Sequence, residues 1–245
     1  MKCFSKCLGF IVCALFALNV HAQSPDSDNQ LHGDLSLQYL LHRAAGSSAH
    51  PPVIILLHGM GSNEQDLYSL RNFFPSRYAV VSARAPYVLG DGSYEWFRDA
   101  SVPNQLDGDP QQLAASRARI TRFIDELVQE YGFDPHQVYL IGFSQGAILS
   151  YQVALTAPQK VAGIGIMSGA IFQSFVPSIK PSPALAHIRV FISHGLADER
   201  IPVAYASKAN QILRGLGMQP EFHLYPGMHH EINRDALRDL VHWLQ

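Results

Sequence analysis

Ser144 sits in the pentapeptide Gly142-Phe143-Ser144-Gln145-Gly146, a serine with a glycine two residues away on either side. A serine hydroxyl is a poor nucleophile until a base takes its proton and an acid orients that base. The flanking sequence supplies the right setting. Residues 137–141 are apolar and β-rich, while 147–157 are rich in helix formers and stop before Pro158. At a sharp strand-to-helix turn the hydroxyl is pushed clear of the backbone, and only glycine fits beside the neighbouring strand and helix. Two downstream loops hold candidate partners in the order such a fold requires, acid before histidine. One reads His194-Gly195-Leu196-Ala197-Asp198; the other, after the last apolar run, reads Pro226-Gly227-Met228-His229-His230-Glu231. Asp198 is the expected acid, with Glu199 one position off and capping of the next helix as its other possible role. His229 and His230 cannot both face the serine, because adjacent side chains diverge. The negative oxygen of a tetrahedral intermediate needs preorganised N–H donors, and the backbone of Gln145, at a helix start, is one candidate.

The elements that must position these residues are visible as alternating patterns. Runs at 53–57, 78–82, 138–143, 164–167, 190–193 and 221–225 have the continuous apolar character of strands covered on both faces of a parallel sheet. Leu35, Leu37, Tyr39 and Leu41 alternate with other residues, as in a half-exposed early strand. Asp109-Pro110 reads as a cap followed by a first-turn proline. Leu113, Ile120, Phe123, Ile124, Leu127, Val128 and Tyr131 then share one helix face, and Gly132 closes it. Helices also fit 64–73, 203–216 and 234–244. Such alternation predicts an α/β fold, a three-layer sandwich around a mostly parallel sheet. No interval is long enough for a large lid domain; the longest without clear structure is 85–106.

The first 22 residues read as a cleavable signal peptide: Lys2 and Lys6 open it, 8–20 are apolar, and Val20-His21-Ala22 precedes the expected mature start at Gln23. The apolar run is too short for a membrane anchor, which predicts a periplasmic or secreted protein. Residues 23–30 are polar and acidic and read as a disordered leader, leaving 31–245 as one catalytic domain. Cys3, Cys7 and Cys13 would leave with the signal, so the mature chain is expected to have no thiol nucleophile, disulfide or zinc–thiolate site. It would hold 16 basic side chains (18 less Lys2 and Lys6) against 20 acidic, a net charge of −4. That mild acidity favours neither nucleic acid nor an anionic membrane as partner. The precursor has 12 histidines but no H-E-x-x-H or C-x-x-C pattern, and no glycine-rich loop ends in Gly-Lys-Ser/Thr. No metal, nucleotide or other cofactor is therefore expected.

Five stretches make a resemblance specific: "LLHGMGSNEQDL" (56–67), "RAPY" with "YEWFRD" (84–99), "GFSQG" (142–146), "SHGLADERIP" (193–202) and "YPGMHHEI" (225–232). In this order they resemble the phospholipase/carboxylesterase family of α/β hydrolases, which includes the acyl-protein thioesterases. The resemblance implies an esterase with a Ser144, His230, Asp198 triad. It assigns the base to His230, and it puts His229 where the family usually has glycine. It implies Met60, in His58-Gly59-Met60-Gly61, as the second oxyanion donor beside Gln145, and Trp96 and Phe97 as aromatics beside the acyl cleft. His58 and His194, each before a glycine at a strand end, read as holding loops by hydrogen bonding. The expected function is an exported serine carboxylesterase acting on small to medium carboxylic esters, with thioesters as further substrates. A depolymerase or feruloyl-type esterase with an open cleft is the rival within the class. A binding module on a hydrolase scaffold is the rival outside it.

Overall fold

The computed structural model describes residues 29–100 and 105–245. The expected signal peptide and all but the last two residues of the leader lie outside the described residues. Seven strands form the main sheet: β1 (Tyr39–His42), β2 (Val53–Leu57), β3 (Ala79–Ala83), β6 (Val138–Phe143), β7 (Gly163–Met167), β8 (Arg189–Gly195) and β9 (Glu221–Tyr225). Their order is β1-β3-β2-β6-β7-β8-β9, with β1 antiparallel to β3 and every other pairing parallel.

The pleat divides each central strand between two cores. Val53, Ile55 and Leu57 join one cluster, while Ile54 and Leu56 face the other. The first is covered by α2 (Pro110–Tyr131), α3 (Gln145–Thr156) and α4 (Val203–Gly215), through Phe123, Leu149 and Leu213 among others. The second is covered by α1 (Glu64–Tyr68) and α5 (Arg234–Trp243), through Leu67, Leu240 and Trp243. This is the expected three-layer sandwich, and no lid domain interrupts it among the described residues. The caps of α2 are those its sequence announces. The Asp109 carboxylate accepts from the N–H groups of Gln111 and Gln112 at 3.0 and 2.8 Å, and Gly132 closes the helix at φ 68°. Helix α3 is buried along nearly its whole length, as an all-round apolar sequence requires.

Three local expectations need correction. The early strand covers only Tyr39–His42; its first three residues are buried and 34–37 are bends, because β1 is paired beside β3 at the sheet edge with Tyr39 and Leu41 packed into the first core. The helix expected over 64–73 ends at Tyr68 and continues as a tight 3-10 turn, Ser69–Phe73. Within 85–106 a hairpin forms from β4 (Tyr87–Gly90) and β5 (Ser93–Glu95), turning at Asp91-Gly92 with Gly92 at φ 67°. The sheet reverses its direction of growth at β2, whose neighbours are β3 and β6. The C-terminal ends of β2 and β6 are therefore a topological switch point, where open α/β sheets bind ligands.

Candidate active site

β6 ends at Phe143 and α3 begins at Gln145, so the chain reverses at Ser144 alone. Ser144 has φ 53° and ψ −115°, a backbone conformation that costs on the order of 1–3 kcal/mol and persists only when its surroundings enforce it. They do. A β-carbon on Gly146 would stand 2.0 Å from the carbonyl oxygen of Leu57, so the start of α3 packs directly on the end of β2.

Ser144 Oγ lies 2.9 Å from His230 Nε2, and His230 Nδ1 lies 2.8 Å from Asp198 Oδ2. An ionised carboxylate can only accept, so Nδ1–H donates to Asp198; Nε2 is left to accept the serine proton. Burial alone would raise the pKa of Asp198, but the N–H of Ile201 and the imidazole of His230 outweigh it and hold the carboxyl below its ordinary value. Its Oδ1 accepts from the backbone N–H groups of Arg200 and Ile201 at 3.0 and 2.8 Å. Asp198 thus caps its own turn, while α4 follows Pro202 with no side-chain cap. Glu199 is exposed.

The acid and base loops are clasped together. A β-carbon on Gly195 would lie 2.0 Å from the Met228 carbonyl oxygen. Leu196 N–H donates to Tyr225 O and Ala197 N–H to Met228 O, each at 3.0 Å. His194 holds the same region from beneath, its Nε2–H donating to Ile201 O at 2.7 Å. Burial lowers its pKa, so its 3.4 Å approach to Asp198 is a contact of a neutral ring and not an ion pair. His58, also buried and lowered in pKa, ties β3 to the loop after β2. Its Nε2 accepts from Ala85 N–H at 3.1 Å and its Nδ1–H donates to Gly59 O at 2.7 Å. His229 is exposed, and its carbonyl accepts from Glu231 N–H at 3.0 Å. Its φ is not positive, so the position takes a side chain without backbone strain.

Ser144 and His230 open into a cavity of about 270 Å³, also lined by Met60, Gln145, Ile148 and Phe172. Gln145 is the first residue of α3, where backbone N–H groups have no intrahelical acceptor. Trp96 and Phe97 are not where the resemblance puts them. Both are fully buried and neither lines the cavity. The reason is that each finds partners inside: Trp96 Nε1–H donates to His58 O at 2.8 Å, and Phe97 packs edge-on against Phe172 at 5.8 Å. They support the wall that Phe172 presents.

The sequence reading missed the part played by the Gln145 side chain. Its Oε1 accepts from Trp96 N–H at 3.0 Å and its Nε2 donates to Phe97 O at 2.8 Å. Just upstream on that segment, Tyr94 O accepts from Gly61 N–H at 2.8 Å and Tyr94 N–H donates to Ser62 O at 2.9 Å. One stretch, 94–97, therefore ties the loop bearing Met60 to the turn bearing Gln145. A polar residue between a nucleophile and an apolar helix is the signal that could have found it.

Among the described residues, no three His, Cys, Asp or Glu side chains gather as a metal site, and no helix is long and apolar enough to cross a membrane. Residues 43–245 match the profile of the family described as Phospholipase/Carboxylesterase. The protein named "Probable carboxylesterase Os04g0669500" of Oryza sativa subsp. japonica is 26% identical over 82% of this chain and 80% of its own length. Acyl-protein thioesterase 1 of Kluyveromyces lactis is 29% identical over 81% of this chain and 93% of its own. In fold, the crystal structure of a Mesorhizobium loti carboxylesterase superposes with a TM-score of 0.77 at 23% identity, covering 89% of this chain and 98% of that one. With most of its length matched and the sandwich intact around the serine turn, the chain belongs to the phospholipase/carboxylesterase family of α/β hydrolases and is a carboxylic ester hydrolase.

Proposed function

We propose that the protein is an exported serine carboxylesterase that hydrolyses small to medium carboxylic esters, thioesters included, through an acyl-enzyme on Ser144. One observation carries the reading. Hydrogen bonds run unbroken from Asp198 through His230 to Ser144, in a cavity that Met60 and Gln145 also line. Ser144 Oγ forms a bond to the carbonyl carbon as its proton passes to His230 Nε2, and Asp198 stabilises the imidazolium. The oxygen that becomes negative is met by the N–H groups of Met60 and Gln145, each such donor being worth about 10²–10³ in rate. The bond to the leaving oxygen or sulfur then breaks as Nε2 returns the proton to it. Water repeats the sequence and frees the acid. The cavity of about 270 Å³ is small among ligand cavities, which supports short and medium acyl groups.

The test is labelling by a fluorophosphonate probe together with hydrolysis of p-nitrophenyl esters of rising acyl length. Labelling at Ser144 and a maximum at short or medium acyl groups are expected. Neither labelling nor turnover would favour a binding module, and turnover confined to polymer-linked or feruloyl esters would favour the depolymerase reading. Export has its own check. Intact mass of protein from the periplasm or medium should correspond to a chain beginning at Gln23; full-length chain in the membrane fraction would contradict it.

The brace through Gln145 leads to a further expected result. Gln145→Leu should lower kcat about ten- to a hundredfold with KM little changed, because the two donors shift while ground-state contacts remain. It should also cost roughly 1–3 kcal/mol of stability, since Trp96 N–H and Phe97 C=O lose their buried partners. Steady-state kinetics and a thermal melt measure the two effects separately. An unchanged kcat would mean that the carboxamide does not hold the donors.

A further inference from the structure

A second cavity, of about 290 Å³, lies against the ring of His230 on the side of α1. It shares Phe143 and His230 with the catalytic cavity and no other residue, so the same two rings wall both. The nucleophile and both candidate oxyanion donors line only the first cavity, which is where the acyl carbon and its oxygen must sit. His230 Nε2, 2.9 Å from Ser144 Oγ, is the atom that must protonate the leaving oxygen. The leaving group therefore stands near His230 Nε2, and the second cavity borders the same ring.

Its lining has a definite character. Leu67, Leu70 and Ile232 are apolar, and the half-buried ring of Phe143 stands 4.9 Å from that of His230. Asp66 and Glu231, both exposed, are the only acidic side chains lining it, and no lysine or arginine does. Asp66 Oδ2 accepts from Ser62 Oγ at 2.7 Å, a neutral partner that leaves the charge in place. An anionic leaving group would meet two carboxylates, whereas a cation gains from both. We propose that this groove is the leaving-group subsite and that it selects alcohols or thiols carrying a positive charge. The assignment rests on the acyl-enzyme reading above, because it uses His230 as the proton donor.

The experiment compares butyrylcholine with 3,3-dimethylbutyl butyrate, which has nearly the same shape and no charge. Each kcat/KM is divided by the rate constant for hydroxide-catalysed hydrolysis of that ester, which removes the inductive effect of the ammonium. At low salt the normalised ratio should favour the cation by about five- to tenfold, and it should fall towards one in about 0.5 M salt. In the double variant Asp66→Asn, Glu231→Gln the ratio should approach one at low salt as well. A wild-type ratio at or below one, or a preference that survives both salt and the double variant, overturns the proposal. A second pair, p-nitrophenyl esters differing in charge only on the acyl side, locates the groove: a change there instead of in the alcohol pair would make it an acyl site and overturn the assignment. If the double variant does not fold, the salt dependence of the wild type decides between the outcomes. Fluorophosphonate labelling of the wild type keeps the two levels apart. A labelled enzyme without the charge preference loses only the groove, while an unlabelled protein that turns over neither ester loses the mechanism too.

Discussion

Ser144→Ala is expected to lower kcat by on the order of 10⁴ or more, with the melting temperature close to that of the wild type. The size follows from what remains. Without Oγ there is no acyl-enzyme, and the residual rate is what the cavity and its N–H donors give to attack by water. The small effect on stability follows from what Oγ touches, which is His230 Nε2. Alanine keeps the β-carbon, so the conformation at φ 53° is as costly as before, and the close packing of Gly146 on Leu57 continues to enforce it. Hydrolysis of p-nitrophenyl butyrate by both purified proteins measures the first effect, and a thermal melt the second. More than about a tenth of wild-type turnover would remove Ser144 from the mechanism.

Which features were legible in the sequence depended on how local their causes are. The elbow at Ser144 is written in five consecutive residues, and the capped α2 in Asp109-Pro110 and Gly132. The approach of Asp198 and His230, 32 residues apart, and of His230 and Ser144, 86 apart, is a property of the sheet. Chain order alone forecast it, because β6, β7, β8 and β9 are laid down side by side with their C-terminal ends together. Trp96 and Phe97 misled for a physical reason: an aromatic ring beside polar motifs looks like a cleft residue unless its polar atom is satisfied within, and the partner of Trp96 is a backbone carbonyl 38 positions away. The hairpin of β4 and β5 has strands of only 4 and 3 residues, with Val88 and Leu89 exposed, so its periodicity is too brief to register. The Asp91-Gly92 turn was its one strong sign. For the Gln145 brace the sequence offers one sign, a polar residue at the head of an apolar helix; its partners are two backbone groups of a segment with no periodicity, which no pattern points to.

His230→Ala should be as damaging as the loss of the serine, a fall on the order of 10⁴ or more, while His229→Ala should cost less than about tenfold. Two adjacent histidines in one loop make this the sharpest test of register in the molecule. His230 reaches both partners, Ser144 at 2.9 Å and Asp198 at 2.8 Å, and truncating it removes the base and leaves the serine without a proton acceptor. The fold should survive, since Asp198 keeps the N–H groups of Arg200 and Ile201, although losing the imidazole from this buried carboxylate costs roughly 1.5–3 kcal/mol. His229 contributes differently. Its side chain is exposed and does not line the cavity, while its backbone oxygen faces the end of β8, where a β-carbon on Gly195 would come within 2.6 Å. Alanine leaves that backbone contact and the negative φ intact, so the loop should keep its path and His230 its aim. The two variants are compared in one assay on the same ester, with circular dichroism of each to show that neither has unfolded. If His229→Ala proves the inactive one, the base is assigned one residue too late, and the geometry joining Ser144, His230 and Asp198 does not describe the working enzyme.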